Sequence, residues 1–220
     1  MTSRRANSAA YALIGALAFT LAANGCTPVG LIAHKLIGPP AVEPKYVPEK
    51  RLTLVLVERF AAQNQSTVEA EMLSRDIRRE LETRQIAPQV DPMGVFDLRL
   101  RDPVKFRSMT ISQIGAALGA EQVLYVNVLS SSMQLSEGSQ LLRGSMSARV
   151  KMIDVATGQT MWPTDATEGY PVAVQTPLKY VEEGVSPEAA RARLLRELAD
   201  SVGKLFYKWK PEEQVDEEVR

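Results

Sequence analysis

The sequence predicts an α/β (α+β) domain, a mixed sheet built in the order β-α-β-α-β-β-β-α with helices packed mainly on one face. Three stretches carry this. "LTLVLVE", 52–58, is a continuous apolar, β-branched run, the pattern of a strand covered on both sides. From Leu142 to Met152 the chain alternates strictly, with Leu142, Gly144, Met146, Ala148, Val150 and Met152 on one side and Arg143, Ser145, Ser147, Arg149 and Lys151 on the other. That period of two means one packed and one wet face. Near the C-terminus, Leu194, Leu195, Leu198, Val202, Leu205, Phe206 and Trp209 mark one buried stripe at helical spacing.

The remaining elements follow from local signals. After the first strand, Ser66 and Glu69 form a capping-box pattern, and Val68, Met72, Leu73, Ile77 and Leu81 recur at helical spacing. Glu71–Arg75 and Glu80–Arg84 stand four apart in the favourable order. "IAPQVDP", 86–92, reads as a short second strand, and the stretch from there to Ser108 reads as irregular, broken by Pro103. "TISQIGAALGA" is a short helix capped by Thr110 and stopped by Gly119. "EQVLYVNVLSS" is a strand leading to the alternating one. "DVATG" turns the chain, with the Asp154 carboxylate accepting backbone N–H groups and Gly158 taking positive φ. "QTMWP" and "GYPVAVQ" are extended, and Ser186-Pro187 opens the last helix.

The N-terminus carries an address. Arg4 and Arg5 precede the uncharged apolar run "AAYALIGALAFTLAA", 9–23, and small residues lead to Cys26, the one cysteine in the chain. A positive start, a short apolar core and a small-residue site describe a secretory signal, too short for a comfortable membrane span. "ANGC" resembles a bacterial lipobox, although Ala23 stands where that pattern prefers Leu. The resemblance implies that Cys26 is acylated and becomes the first residue of the mature chain. Each buried CH₂ adds about 0.8 kcal/mol, so two or three acyl chains hold firmly. Among such lipoproteins Asp after the cysteine marks the inner membrane; Thr27 points to the outer one.

The expected organisation is a signal peptide over 1–25, a lipid anchor and Pro-rich tether over 26–51, a periplasmic domain over 52–209 and an acidic flexible tail over 210–220. "VGLIAHKLIG" rests on the membrane or packs on the domain. Pro39, Pro40, Pro44 and Pro48 make the following stretch extended and semi-rigid.

Twenty-six basic residues balance 26 acidic ones, so no charge excess calls for nucleic acid. A single Cys excludes an internal disulfide. His34, the one histidine, lies before the tether, as an inert linker residue or a pH-sensitive membrane contact. A Ser-His or Cys-His nucleophile then lacks its base, and a His/Cys zinc site lacks its ligands. No phosphate-binding Gly-rich motif appears. Asp76 with Glu80, and Asp97 with Asp102, are the paired carboxylates; they read as solvated charges more readily than as acid–base pairs. "FDLRLRDPVKFR", 96–107, is a connection or a recognition loop, and Trp162, Tyr170 and Tyr180 are core packing or an aromatic binding patch.

"IGAALGAEQVLYVNV", 114–128, and "VKMIDVATGQTMW", 150–162, resemble the periplasmic domain shared by the curli-secretion channel lipoprotein and the amino-terminal domain of the Tol-system β-propeller protein. The resemblance spans roughly 52–209. It implies the same fold, Asp154 and Gly158 as turn formers, and no catalytic residue. The pore-forming hairpins of the curli channel have no counterpart outside the expected strands. The sequence therefore points to a non-enzymatic, cofactor-free, lipid-anchored protein on the periplasmic side of a bacterial membrane that binds another envelope protein. Arg143, Arg149 and Lys151 mark the candidate face. A small-ligand or glycan-binding module is the alternative, self-association is open, and a carboxylate hydrolase comes last.

Overall fold

The computed structural model describes residues 39–59, 68–135, 141–176, 179–180 and 186–211. Cys26, His34 and the Ser66 cap lie outside these residues. Residues Glu43–Trp209 form one compact unit.

Its sheet contains β1 (Thr53–Arg59), β2 (Gln122–Leu135), β3 (Leu141–Asp154), β4 (Thr160–Trp162), β5 (Tyr170–Gln175) and β6 (Lys179–Tyr180). β1 runs parallel to β2, β2 antiparallel to β3, and β4, β5 and β6 all pair antiparallel with β3. The five described helices are α1 (Val68–Thr83), α2 (Met93–Arg101), α3 (Pro103–Ser108), α4 (Ile111–Ala117) and α5 (Pro187–Gly203).

The two long helices share one face, as their stripes imply. Leu73, Ile77 and Leu81 of α1 meet Leu194, Leu195, Leu198 and Val202 of α5 over Val55, Val57, Val126, Val150 and Met152. Val68, expected in the α1 stripe, is 72% exposed instead. α5 starts where expected, with Ser186 Oγ accepting the Ala189 N–H at 3.1 Å and Pro187 in its first turn.

The opposite face carries a smaller helical layer. Over β1 and the start of β2, three short helices place Val95, Phe106 and Ile114 against Leu54, Leu56 and Val123. Two of them, α2 and α3, fall in the stretch read as irregular. Pro103 does break the helical run, since Asp102 before it leaves helical backbone at φ −149°, ψ 87° and ends α2, but the same proline then begins α3. Asp102 Oδ1 accepts the Lys105 N–H at 2.9 Å as the cap, and proline occupies the first turn, where its missing N–H costs nothing. The expected strand at 86–92 is reduced to a bridge between Thr53 and Gln89. Thr53 donates its N–H to the Pro88 carbonyl at 2.8 Å and accepts from the Val90 N–H at 2.8 Å, and the chain then leaves the sheet.

α4 carries both halves of the capping box: the Gln113 N–H donates to Thr110 Oγ1 at 3.2 Å and the Thr110 N–H donates to Gln113 Oε1 at 2.8 Å. Gly115 lets this helix touch the sheet. A Cβ there would lie 2.7 Å from Val123 Cγ2 and 2.8 Å from Val155 Cγ2. In an open helix Gly→Ala would stabilise by about 1 kcal/mol. Here Gly115→Ala is expected to destabilise by about 1–3 kcal/mol through overpacking, read as a lower urea midpoint. A higher midpoint would show that α4 stands off the sheet.

Residues 43–51, the end of the expected tether, lie along the domain. The N–H groups of Lys45 and Tyr46 donate to the Leu205 carbonyl at 2.7 and 3.1 Å. The fully buried Gln122 side chain donates through Nε2 to the Glu49 carbonyl at 2.9 Å and to Thr53 Oγ1 at 2.8 Å.

Candidate functional site

The polar side of the β2–β3 ribbon is the candidate surface. Along β3, Gly144, Met146, Ala148, Val150 and Met152 are buried, while Arg143 is exposed and Ser145, Ser147, Arg149 and Lys151 are half-buried. The ribbon is longer than the sequence suggests, 14 residues in each strand. Its register sets Tyr125 opposite Lys151 and Asn127 opposite Arg149. A bulge then skips Leu129, which is 41% exposed, so that Ser130 faces Ser147 and Ser132 faces Ser145. Without that extra residue, Ser130 and Ser132 would turn to the apolar side, because a one-residue slip reverses every side chain. The hydroxyls meet in pairs, Ser130–Ser147 at 2.6 Å and Ser132–Ser145 at 2.7 Å. Neither their hydrophobicity nor their spacing marks Ser130 and Ser132 as members of this face.

The three cations of the face are not equivalent. Arg149 is held by Glu168 at 3.5 Å and donates to the Gly169 carbonyl at 3.3 Å. Arg143 and Lys151 make no ion pair with any described residue. At the β1 end, Tyr125 donates its hydroxyl proton to Glu58 Oε2 at 3.0 Å. Burial pushes this phenol well above its ordinary range, and the Glu58 charge adds to the effect. Asn127 Oδ1, between Glu58 and Arg149 in the register, is buried without a hydrogen-bond partner among the described residues, as is Arg99 Nε. Burial lowers the Arg99 guanidinium, opposed by Glu58 and Glu71. Alternation in "QVLYVNV" could have added Tyr125 and Asn127 to the face; Arg99 had no such signal.

Arg99 also borders a small open cleft of about 30 Å³ between α1 and α2, lined by Val55, Val57, Ser74, Arg75 and Met93.

Asp154 Oδ1 accepts the Thr157 N–H and the Thr157 hydroxyl, both at 2.8 Å, and Gly158 has φ +71°. Asp154 Oδ2 accepts from Arg51 Nη1 at 2.8 Å, a contact no local signal showed. The Arg51 bond first, then those from Thr157, hold the carboxyl near a pKa of about 2, against 3.8 ordinarily. A folded pKa below the unfolded one adds stability above pH ~4 that is lost as pH falls through ~2. The melting temperature should therefore drop between about pH 4 and pH 2, and Asp154→Asn should flatten that part of the profile. An unchanged profile in the variant would assign acid sensitivity to other carboxylates.

The other candidates have ordinary duties. Asp76 pairs with Arg79 at 4.0 Å, and Glu80 accepts from Arg84 at 3.0 Å and from the Tyr207 hydroxyl at 2.8 Å. Asp102 caps α3, apart in role from the exposed Asp97. Trp162 stacks with Tyr170 at 5.1 Å and with Tyr46 at 5.8 Å, and meets Phe206 edge-on at 5.9 Å. These rings pack against the core. Among the described residues, no group of three or more His, Cys, Asp or Glu could hold a metal ion, and no helix is long and apolar enough to cross a membrane.

No family model matches this chain, and no curated protein matches it. Solved structures are similar to it at low identity. Lipoprotein GNA1162 from Neisseria meningitidis is 12% identical, over 69% of this chain and 97% of that one, with a TM-score of 0.42. Hypothetical protein CT253 from Chlamydia trachomatis is 15% identical over 70% and 96%, with a TM-score of 0.39. A minor lipoprotein from Acinetobacter baumannii is 9% identical over 70% and 90%, also at 0.39. Bacterial lipoproteins are thus among the structures similar to this chain.

Proposed function

We propose that this protein is a non-enzymatic, lipid-anchored envelope protein that binds another envelope protein through the polar side of the β2–β3 ribbon. One observation supports the binding surface above others: a bulge turns Ser130 and Ser132 outward to join Ser145, Ser147, Arg143 and Lys151 on one rigid sheet face. Fixed hydroxyls offer directional hydrogen bonds, and Arg143 and Lys151, without an ion-pair partner among the described residues, steer an acidic partner and set register more than they add affinity. The anchor rests on the sequence alone: Cys26 after an apolar run, with the outer membrane as its place. The domain type of the curli-secretion and Tol-system proteins fits the same reading, through the turn at Asp154 and Gly158.

Each half has its own test. Metabolic labelling with an alkynyl fatty acid should tag the wild-type chain and not the Cys26→Ser variant; equal tagging would remove the anchor. A photo-crosslinker at Ser147 in intact cells should attach a partner, and one at Arg79, whose side chain is 79% exposed, should not. Arg143→Glu with Lys151→Glu should weaken the Ser147 product and cost about 0.5 kcal/mol or less in stability. Arg149 is left in place so that its bond to the Gly169 carbonyl survives. Equal crosslinking from both positions would move the binding surface off this face.

A further inference from the structure

We propose that the elbow between α2 and α3 is a docking point for an anionic phospholipid surface. The proposal is independent of the polar ribbon face and does not require acylation of Cys26. Two large apolar side chains project at this elbow, Leu100 at 63% and Val104 at 71% exposure. They are not disordered remnants of a loop. Each sits in a helix whose other side is fixed: Val95 in α2 and Phe106 in α3 are buried against the sheet, at 7% and 1%. Leu100 and Val104 are therefore held outward by the packing beneath them. Met93, two helical turns before Leu100 on the same side, is 48% exposed and extends the apolar line.

The charges around the elbow select the partner. Arg101, Lys105 and Arg107 are exposed, and none makes an ion pair with a described residue. Two acids lie nearby. Asp102 is engaged by the Lys105 N–H as the α3 cap, and Asp97 lies one turn back from the elbow tip. Exposed aliphatic side chains ringed by cations suit a negatively charged bilayer: the aliphatic groups enter the acyl boundary while the cations remain among the phosphates. A purely polar acidic surface would use the cations but would leave Leu100 and Val104 in water. The occupant we assign is therefore a lipid surface.

The test places an environment-sensitive fluorophore on Leu100→Cys in the full chain, with Cys26→Ser to leave one thiol. The control carries it on Arg79→Cys, on the opposite helical layer. The apolar run at 9–23 can hold every such variant at a vesicle, so the readout is the local environment of the label rather than sedimentation. With phosphatidylglycerol/phosphatidylcholine vesicles, emission at position 100 should rise and shift to shorter wavelength, while position 79 should not change. The shift should be lost on pure phosphatidylcholine, in about 1 M salt, where the Debye length is about 3 Å, and in the triple variant Arg101→Glu, Lys105→Glu, Arg107→Glu. Far-ultraviolet circular dichroism of the triple variant must match the parent. No shift at position 100 on anionic vesicles overturns the proposal. So does an equal shift on neutral ones. A shift that grows with protein concentration in the absence of vesicles overturns it in favour of a second copy of the chain.

Discussion

Phe106→Ala is expected to cost about 3–5 kcal/mol, the range for removing a buried aromatic ring. Phe106 is 1% exposed and packs with Leu54, Leu56, Val95, Ile114 and Val123, so the surroundings are β1, β2 and three helices at once. The ring also carries the Arg99 guanidinium at 4.7 Å, a contact worth about 0.5–1 kcal/mol more. Urea unfolding should show a large fall in midpoint. Phe106→Leu should recover much of it, because most of the apolar volume returns. If Phe106→Ala costs less than about 1 kcal/mol, the α2–α3 pair is not packed on the sheet, and the lipid-docking elbow loses the foundation that holds Leu100 and Val104 outward.

That ring stands in the part of the chain where the sequence was least legible, and the reason is physical. In "FDLRLRDPVKFR" the charges break any apolar stripe, and helices of nine and six residues are too short for a period of 3.6 to declare itself. Asp102-Pro103 did carry a helix-start signal, a cap followed by proline at its tolerated position; taken alone, the proline reads as a breaker. The long elements were legible because their period repeats several times: Leu73, Ile77 and Leu81 in α1, and Leu194, Leu198 and Val202 in α5, are all buried as their spacing requires. The alternating strand was legible for the same reason.

The candidate face was half legible. Arg143, Arg149 and Lys151 follow from alternation within β3 alone. Ser130 and Ser132 depend on where β2 slips past β3, and in "LSSSM" no residue type distinguishes one serine from the next. The ion pair of Arg149 with Glu168 depends on the turn before β5, and the Arg51–Asp154 contact joins residues 103 apart. Pairings over such distances are set by the closed fold, and local sequence contains no record of them.

Trp162→Ala is the second change expected to have a large effect, about 3 kcal/mol. This is the lower end of the aromatic range, because Trp162 is half-buried. Three rings contact it, Tyr46, Tyr170 and Phe206, and aromatic pairs add about 0.5–1.5 kcal/mol each beyond their burial. Tyr46 belongs to the strap at 43–51, whose hydrogen bonds at this point are the two from Lys45 and Tyr46 to the Leu205 carbonyl. Those two bonds contribute about 1 kcal/mol apiece and are exposed to competition from water once the ring beside them is gone. Loss of the indole should therefore loosen the strap before it unfolds the sheet. Limited trypsin digestion should cut at Lys45, Lys50 or Arg51 faster in Trp162→Ala than in the parent, at temperatures where the far-ultraviolet circular dichroism of the two is the same. Trp162→Phe, which keeps a ring in the stack, should return cleavage close to the parental rate. If the alanine variant is cut no faster until it melts as a whole, the strap is part of the cooperative core. The stack would then serve global stability and not the docking of the N-terminal segment.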